Sequence, residues 1–192
     1  MSCKDCKCNK PPSQEMCDDL DITNYAVYTV DYQPTKWDKY FTEIAHATAK
    51  LSKDPSSKIG SVIVNSGNRI ISTGYNGFVA GCDEEHMTFD RPMKYHITIH
   101  AEMNAILAAK QDLSDCVMYV TDAPCENCLK HVLQAGISTV YYDRPDIMRD
   151  RGTKEQKEAI RRLIFSCNGS DVKVLNVNTG KSILLDVGCV DV

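Results

Sequence analysis

From residue 59 onward the chain alternates short β-branched runs with longer stretches of helical periodicity. This alternation restricts the fold more than any other feature of its 192 residues. Ile59 to Asn65 and Arg69 to Tyr75 read as two strands joined through Ser66-Gly67-Asn68, a hairpin turn. Val117 to Thr121, Ser138 to Tyr142 and Val172 to Val177 read as further strands of the buried type. Between them lie a helix starting at about His100, a second from Cys125 to Ala135 ended by Gly136, and an amphipathic third from Thr153 to Ser166. An earlier helix places Trp37, Tyr40, Phe41, Ile44, Ala45, Thr48 and Leu51 on one apolar face. The SKDPSS segment ends it, because proline disfavours helical geometry in the residue before it. Strands alternating with helices predict an α/β domain with a mostly buried sheet, and the hairpin makes that sheet mixed.

The first 34 residues read differently. They carry Cys3, Cys6 and Cys8, then Pro11-Pro12, then a polar acidic stretch. Residues 1–34 are therefore expected to be a partly irregular extension, and 35–192 the folded domain. No apolar run approaches the roughly 20 residues of a membrane helix, and MSCKDCKCNK lacks the apolar core of a secretory signal, so the expected address is the cytoplasm. In a reducing compartment the ten cysteines are metal ligands where clustered and small core hydrophobes where scattered. The net charge of −4 disfavours a nucleic acid polymer as partner, since gripping a phosphate backbone calls for a basic face.

Chemistry concentrates at two helix starts. His100-Ala101-Glu102 opens one and Pro124-Cys125-Glu126-Asn127-Cys128 opens the next, each straight after a strand. Cys125 and Cys128, three apart in a first turn, direct both sulfurs to one side. Pro124 suits that helix start because it has no N–H to leave unpaired, and the positive end of the helix favours thiolates. With His100 the set is one nitrogen and two sulfurs, three ligands where zinc prefers four. A structural site closes with a fourth residue, whereas a catalytic site leaves that place to water. A redox pair or half a zinc finger would also use Cys-x-x-Cys, but neither accounts for Glu102 or Pro124. Glu102 is placed to take a proton from the activated water and pass it to the ring nitrogen and departing amine of a nucleobase, the division of labour in zinc deaminases.

With these motifs, together with SKDPSSKIGSVIVN, STGYNGFVAGC, MYVTDAPCENC and QAGI, the chain resembles the cytidine/deoxycytidylate deaminase superfamily from about Trp37 to Val177. The GYNG segment is similar to the deoxycytidylate (dCMP) branch. The resemblance implies a three-layer α/β/α sandwich with a five-stranded mixed sheet, and hydrolysis of dCMP to dUMP and ammonia for thymidylate synthesis. It implies His100, Cys125 and Cys128 as zinc ligands and Glu102 as proton shuttle. It also implies that Asn76 lines the substrate pocket, and that the Ala101 N–H and Ala123 carbonyl lie against the pyrimidine. It further implies a homo-oligomer, hexamer or dimer, activated by dCTP with Mg and inhibited by dTTP through the loop holding Gly77, Gly81 and Glu85. Two departures stand out: Asp122 is acidic where relatives are not, and DRPDIMRDRGTKEQ does not follow the pattern of a region that helps recognise the substrate phosphate. Lys58 and Arg144 are the candidates for that contact, each with the plainer reading of a solvated surface charge.

Other features have plain readings beside the sharper ones. Cys3, Cys6 and Cys8, with Cys17, suit either a second zinc or a tail with unused thiols. Cys82 with His86 or His96 suits either an accessory metal or an ordinary loop. Cys116 and Cys167 read as core thiols. Three rival functions share parts of the pattern: a tRNA deaminase, which would want a basic surface; an inactive zinc-stabilised module, which has no use for Glu102; and a riboflavin-pathway or free-cytosine deaminase.

Overall fold

The computed structural model describes residues 32–144, 152–166 and 172–179. Cys3, Cys6, Cys8, Cys17 and Cys167, nearly all of the proposed extension and the centre of the DRPDIMRDRGTKEQ segment lie outside the described residues.

Five strands form one sheet: β1 (Gly60–Asn65), β2 (Ile70–Tyr75), β3 (Cys116–Val120), β4 (Thr139–Tyr142) and β5 (Lys173–Asn176), in the order β2-β1-β3-β4-β5. β1 runs antiparallel to both β2 and β3, while β3, β4 and β5 are parallel. The sheet is mixed, as the hairpin requires, with Asn68 at φ +57° in its turn.

Helices cover both faces. Because side chains alternate along a strand, Val62 and Val64 of β1 point one way and Ile63 the other. Helix α1 (Lys36–Ala49) lays Phe41 and Ala45 on Val62, Val64 and Tyr119. On the opposite face α2 (Ala101–Ala109), α3 (Glu126–Gln134) and α4 (Lys154–Ser166) contribute Ala105, Leu129, Val132, Ile160 and Ile164 to a core built on Ile63, Met118 and Val140. This is the expected three-layer α/β/α sandwich.

Two glycines let helices sit directly on the sheet. A Cβ on Gly60 would lie 2.0 Å from the Ala45 carbonyl oxygen of α1, and one on Gly74 would lie 2.3 Å from that of Ala101 in α2. Only glycine leaves room for the backbone there.

The apolar face expected on α1 is corrected in part. Phe41, Ala45 and Thr48 are buried, but Trp37, Tyr40 and Leu51 are exposed, and Asp38 is buried in their stead. Asp38 completes a capping box with Thr35 and accepts a 2.6 Å hydrogen bond from the Tyr119 hydroxyl. That bond rotates the buried stripe away from Trp37 and Tyr40. His46, on the same helix, reaches Asp143 beyond β4 at 2.6 Å.

Candidate active site

Each of the two motif helices begins with a residue that keeps its side chain for the site. His100 is the N-cap of α2 and Cys125 the N-cap of α3, both in extended backbone, and neither caps its own helix with its side chain. Parallel pairing of β3 with β4 carries the chain off the carboxyl end of β3 through Thr121–Pro124 to Cys125, beside the start of α2. Pro124 precedes the N-cap rather than occupying the first helical position. Cys128 follows one turn inside α3.

The Cys125 and Cys128 sulfurs lie 3.6 and 3.3 Å from His100 Nδ1, and the three donor atoms are all within 4.8 Å of one another. Zinc bonds of ~2.05 Å to nitrogen and ~2.3 Å to sulfur in tetrahedral geometry separate N and S by about 3.6 Å, so the donor set fits this ion. His100 is exposed, Cys125 half-buried and Cys128 buried, which leaves the set open on the histidine side. Among the described residues no other group of three His, Cys, Asp or Glu ligand atoms comes together in this way. Cys82, His86 and His96 belong to no such group, and Cys82 is a free thiol.

The electrostatics follow from crowding. The Cys128 thiol beside it, with help from His100, pulls the Cys125 thiol down to about 4, and the thiolate in turn holds His100 up at about 9. Cys128 keeps its proton, raised by the Cys125 thiolate and by burial. A cation accepting all three donors releases that proton. Glu102 is buried at 4 % exposure, and burial pushes its carboxyl up to about 7 against the pull of His100.

A cavity of about 380 Å³ opens over these groups, within the range of small-ligand pockets. His100, Ala101, Glu102, Ala123 and Cys125 line it, as do Ile59, Asn76 and Asp122. Asn76 is among the lining residues, and its amide is engaged: Oδ1 accepts from Ile59 N–H and Nδ2 donates to the Ser57 carbonyl, both at 2.8 Å. Lys58 and Arg144 are not among the lining residues. Lys58 donates to the Ser52 carbonyl at 2.6 Å, and Arg144 pairs with Asp122 at 3.4 Å. Gly77 is bridged to Ile99, Gly81 stands at φ +78° in an exposed loop, and Glu85 is exposed in the helical turn Glu84–His86; none of the three lines the cavity.

The cations that do face the cavity are Arg91 and Lys94, with Tyr95 and Thr98 beside them. They come from the segment between β2 and α2. Lys94 is buried and donates to Asp54 Oδ2 at 2.7 Å and Ser56 Oγ at 2.8 Å. Burial raises the Asp54 carboxyl, but Lys94 and the N–H groups of Ser56 and Ser57 outweigh it and hold it below the usual range. The only advance signal was the density of charge in DRPMK, which a solvated loop explains equally well.

A sandwich of this topology, with one imidazole, two sulfurs and a buried carboxylate under a ligand-sized cavity, is the frame of a zinc-binding deaminase. Residues 35–144 match the family described as the cytidine and deoxycytidylate deaminase zinc-binding region. The deoxycytidylate deaminase of Homo sapiens is 37% identical over 141 residues, spanning 70% of this chain and 76% of that one. An uncharacterized deaminase in the luxG 3′ region of Aliivibrio fischeri is 47% identical over 107 residues, 56% of this chain and 72% of the relative. The crystal structure of the dCMP deaminase from cyanophage S-TIM5, in complex with dCMP and dUMP, shares the fold at a TM-score of 0.53 and 21% identity, covering 69% of this chain and 95% of that one. The protein belongs to the cytidine and deoxycytidylate deaminase family.

Proposed function

We propose that this chain hydrolyses the exocyclic amine of free dCMP, giving dUMP and ammonia. The observation that carries the reading is the grouping of His100, Cys125 and Cys128 beside a cavity that His100, Cys125 and Glu102 line. The match to deoxycytidylate deaminases over more than two thirds of the chain supports the substrate. His100, Cys125 and Cys128 would hold zinc, which when bound supplies a Lewis acid that makes water a nucleophile near neutral pH. Glu102 accepts the proton of the attacking water and delivers protons to the ring nitrogen and then to the amine, so the C–N bond breaks as the C=O bond forms. The Ala101 N–H and the Ala123 carbonyl, from two residues of the cavity lining, would offer the base a donor and an acceptor. Asn76 holds the wall in place through its bonds to residues 57 and 59.

The finer reading extends to the loop Gly77–Glu85 as a site for dCTP with Mg and for dTTP, in a hexamer or dimer, with dUMP feeding thymidylate synthesis in the cytoplasm. Its support is the GYNG resemblance and the exposure of the loop, tethered by the 2.6 Å Lys53–Glu84 ion pair. Among the described residues no helix is long and apolar enough to cross a membrane.

The test compares initial rates on dCMP, dCTP, deoxycytidine and tRNA, with and without added dCTP or dTTP. dCMP is expected to be fastest. Equal turnover of deoxycytidine would refute the phosphate requirement, and turnover of tRNA alone would replace the reading.

A further inference from the structure

The geometry points to Arg91 as the residue that receives the 5′-phosphate of the substrate and so separates nucleotide from nucleoside. This assignment rests on the nucleotide reading above and goes beyond it by naming the side chain. A monophosphate entering the cavity needs a cation at its wall, and among the described residues few are in place. Lys58 and Arg144 lie outside the lining. Lys94 is in the wall, but its charge is matched by the buried Asp54 carboxylate at 2.7 Å. His100 belongs to the metal set. Arg91 remains: exposed, in the lining, and without an ion pair among the described residues.

Its surroundings suit the role. The guanidinium carbon lies 5.7 Å from the centre of the Tyr95 ring, which also lines the cavity. A guanidinium lying over an aromatic face keeps its N–H fork for a planar, bidentate anion contact, the geometry of Arg–phosphate recognition. The backbone presenting Arg91 is anchored on its far side. Lys94 N–H bonds the Asp90 carbonyl at 2.9 Å, its side chain is locked to Asp54, and Ile99 is bridged to Gly77.

A second observation points to a ligand along the same wall. Thr98 lines the cavity, and its hydroxyl oxygen is buried without a hydrogen-bond partner. Buried hydroxyls are ordinarily paired, so this unpaired one, in a residue of the lining, is free to turn toward a polar ligand atom. One segment therefore carries Arg91, then Thr98, then His100 and Glu102.

The test uses the zinc-loaded full chain. kcat/KM is measured for dCMP and deoxycytidine, and calorimetry gives Kd for dUMP and deoxyuridine. Arg91→Gln is expected to lower kcat/KM for dCMP about 10- to 100-fold, mainly through KM, and to weaken dUMP binding by a similar factor, as loss of a charged hydrogen-bond pair does. Deoxyuridine binding should stay as it was. Arg91→Lys should recover part of the loss, and Lys58→Gln should keep the wild-type preference. If Arg91→Gln retains the dCMP preference and dUMP affinity of wild type, the assignment is wrong. Equal losses for nucleotide and nucleoside would also overturn it, since they would make Arg91 a structural residue. A wild-type enzyme that treats dCMP and deoxycytidine alike would instead refute the nucleotide reading itself, before any variant is made.

Discussion

Replacing Gly74 by alanine sets one methyl group against the backbone of the helix that carries the chemistry. The added Cβ would lie 2.3 Å from the Ala101 carbonyl oxygen and 2.4 Å from the Ala105 nitrogen, where ordinary contact begins at 3.4 Å. Backbone cannot rotate out of the way, so α2 must retreat from β2 by about 1 Å. Overpacking of this kind costs about 1–3 kcal/mol, a fall in Tm of about 2–12 °C for a domain of this size. The larger effect is on catalysis, because Ala101 lies between His100 and Glu102 and the retreat carries both. A misplacement of about 1 Å in a reacting constellation lowers the rate by up to about 100-fold. The assay is kcat on saturating dCMP, normalised to folded protein, beside a thermal scan and a zinc determination. Gly60→Ala is the matched comparison: it drives a Cβ to 2.0 Å from Ala45 of α1, a helix with no residue in the cavity lining, so it should lower Tm while sparing kcat. A Gly74→Ala enzyme with wild-type Tm and kcat would refute the claim that α2 is seated on that glycine.

Glu102→Gln keeps the shape of the side chain and removes its proton chemistry. kcat should fall by about 10²- to 10⁴-fold while elemental analysis still finds one zinc per chain, and an unchanged rate would end the proton-shuttle assignment. Acid should unfold the protein through Asp38 and Asp54. Burial raises both carboxyls, but hydrogen bonds from Tyr119 and Thr35, and from Lys94 and Ser56, more than offset it and leave each below its ordinary value. A group with a lowered folded pKa contributes stability above its unfolded pKa and loses it as pH falls through the folded one. Urea midpoints should therefore drop below about pH 4, and Asp38→Asn, less stable at pH 7, should show a shallower acid slope. Parallel slopes would remove Asp38 from the account.

Much of this protein was legible one residue at a time. The turn at Gly67-Asn68, the stop at Gly136 and the strand runs announce themselves locally, because backbone dihedrals and two- or 3.6-residue periods are properties of neighbours. The donor set was legible for a related reason: a histidine and two cysteines at two successive helix starts have little local purpose unless they share an ion. Periodicity marked the apolar stripe of α1 but could not set its rotation. That is decided by Tyr119, 81 residues away from Asp38, whose hydroxyl draws the carboxylate inward and leaves Trp37 and Tyr40 outside. In the same way the charges of the cavity wall could not be sorted from solvated ones. Lys58 and Lys94 are alike as letters, yet one folds back on Ser52 while the other is buried on Asp54, 40 residues distant. Residue types and local geometry were enough to specify the five strands, the longer helices and a donor set that suits a metal ion. Which cation meets a ligand depended on contacts between distant segments, and only the folded chain brings those segments together.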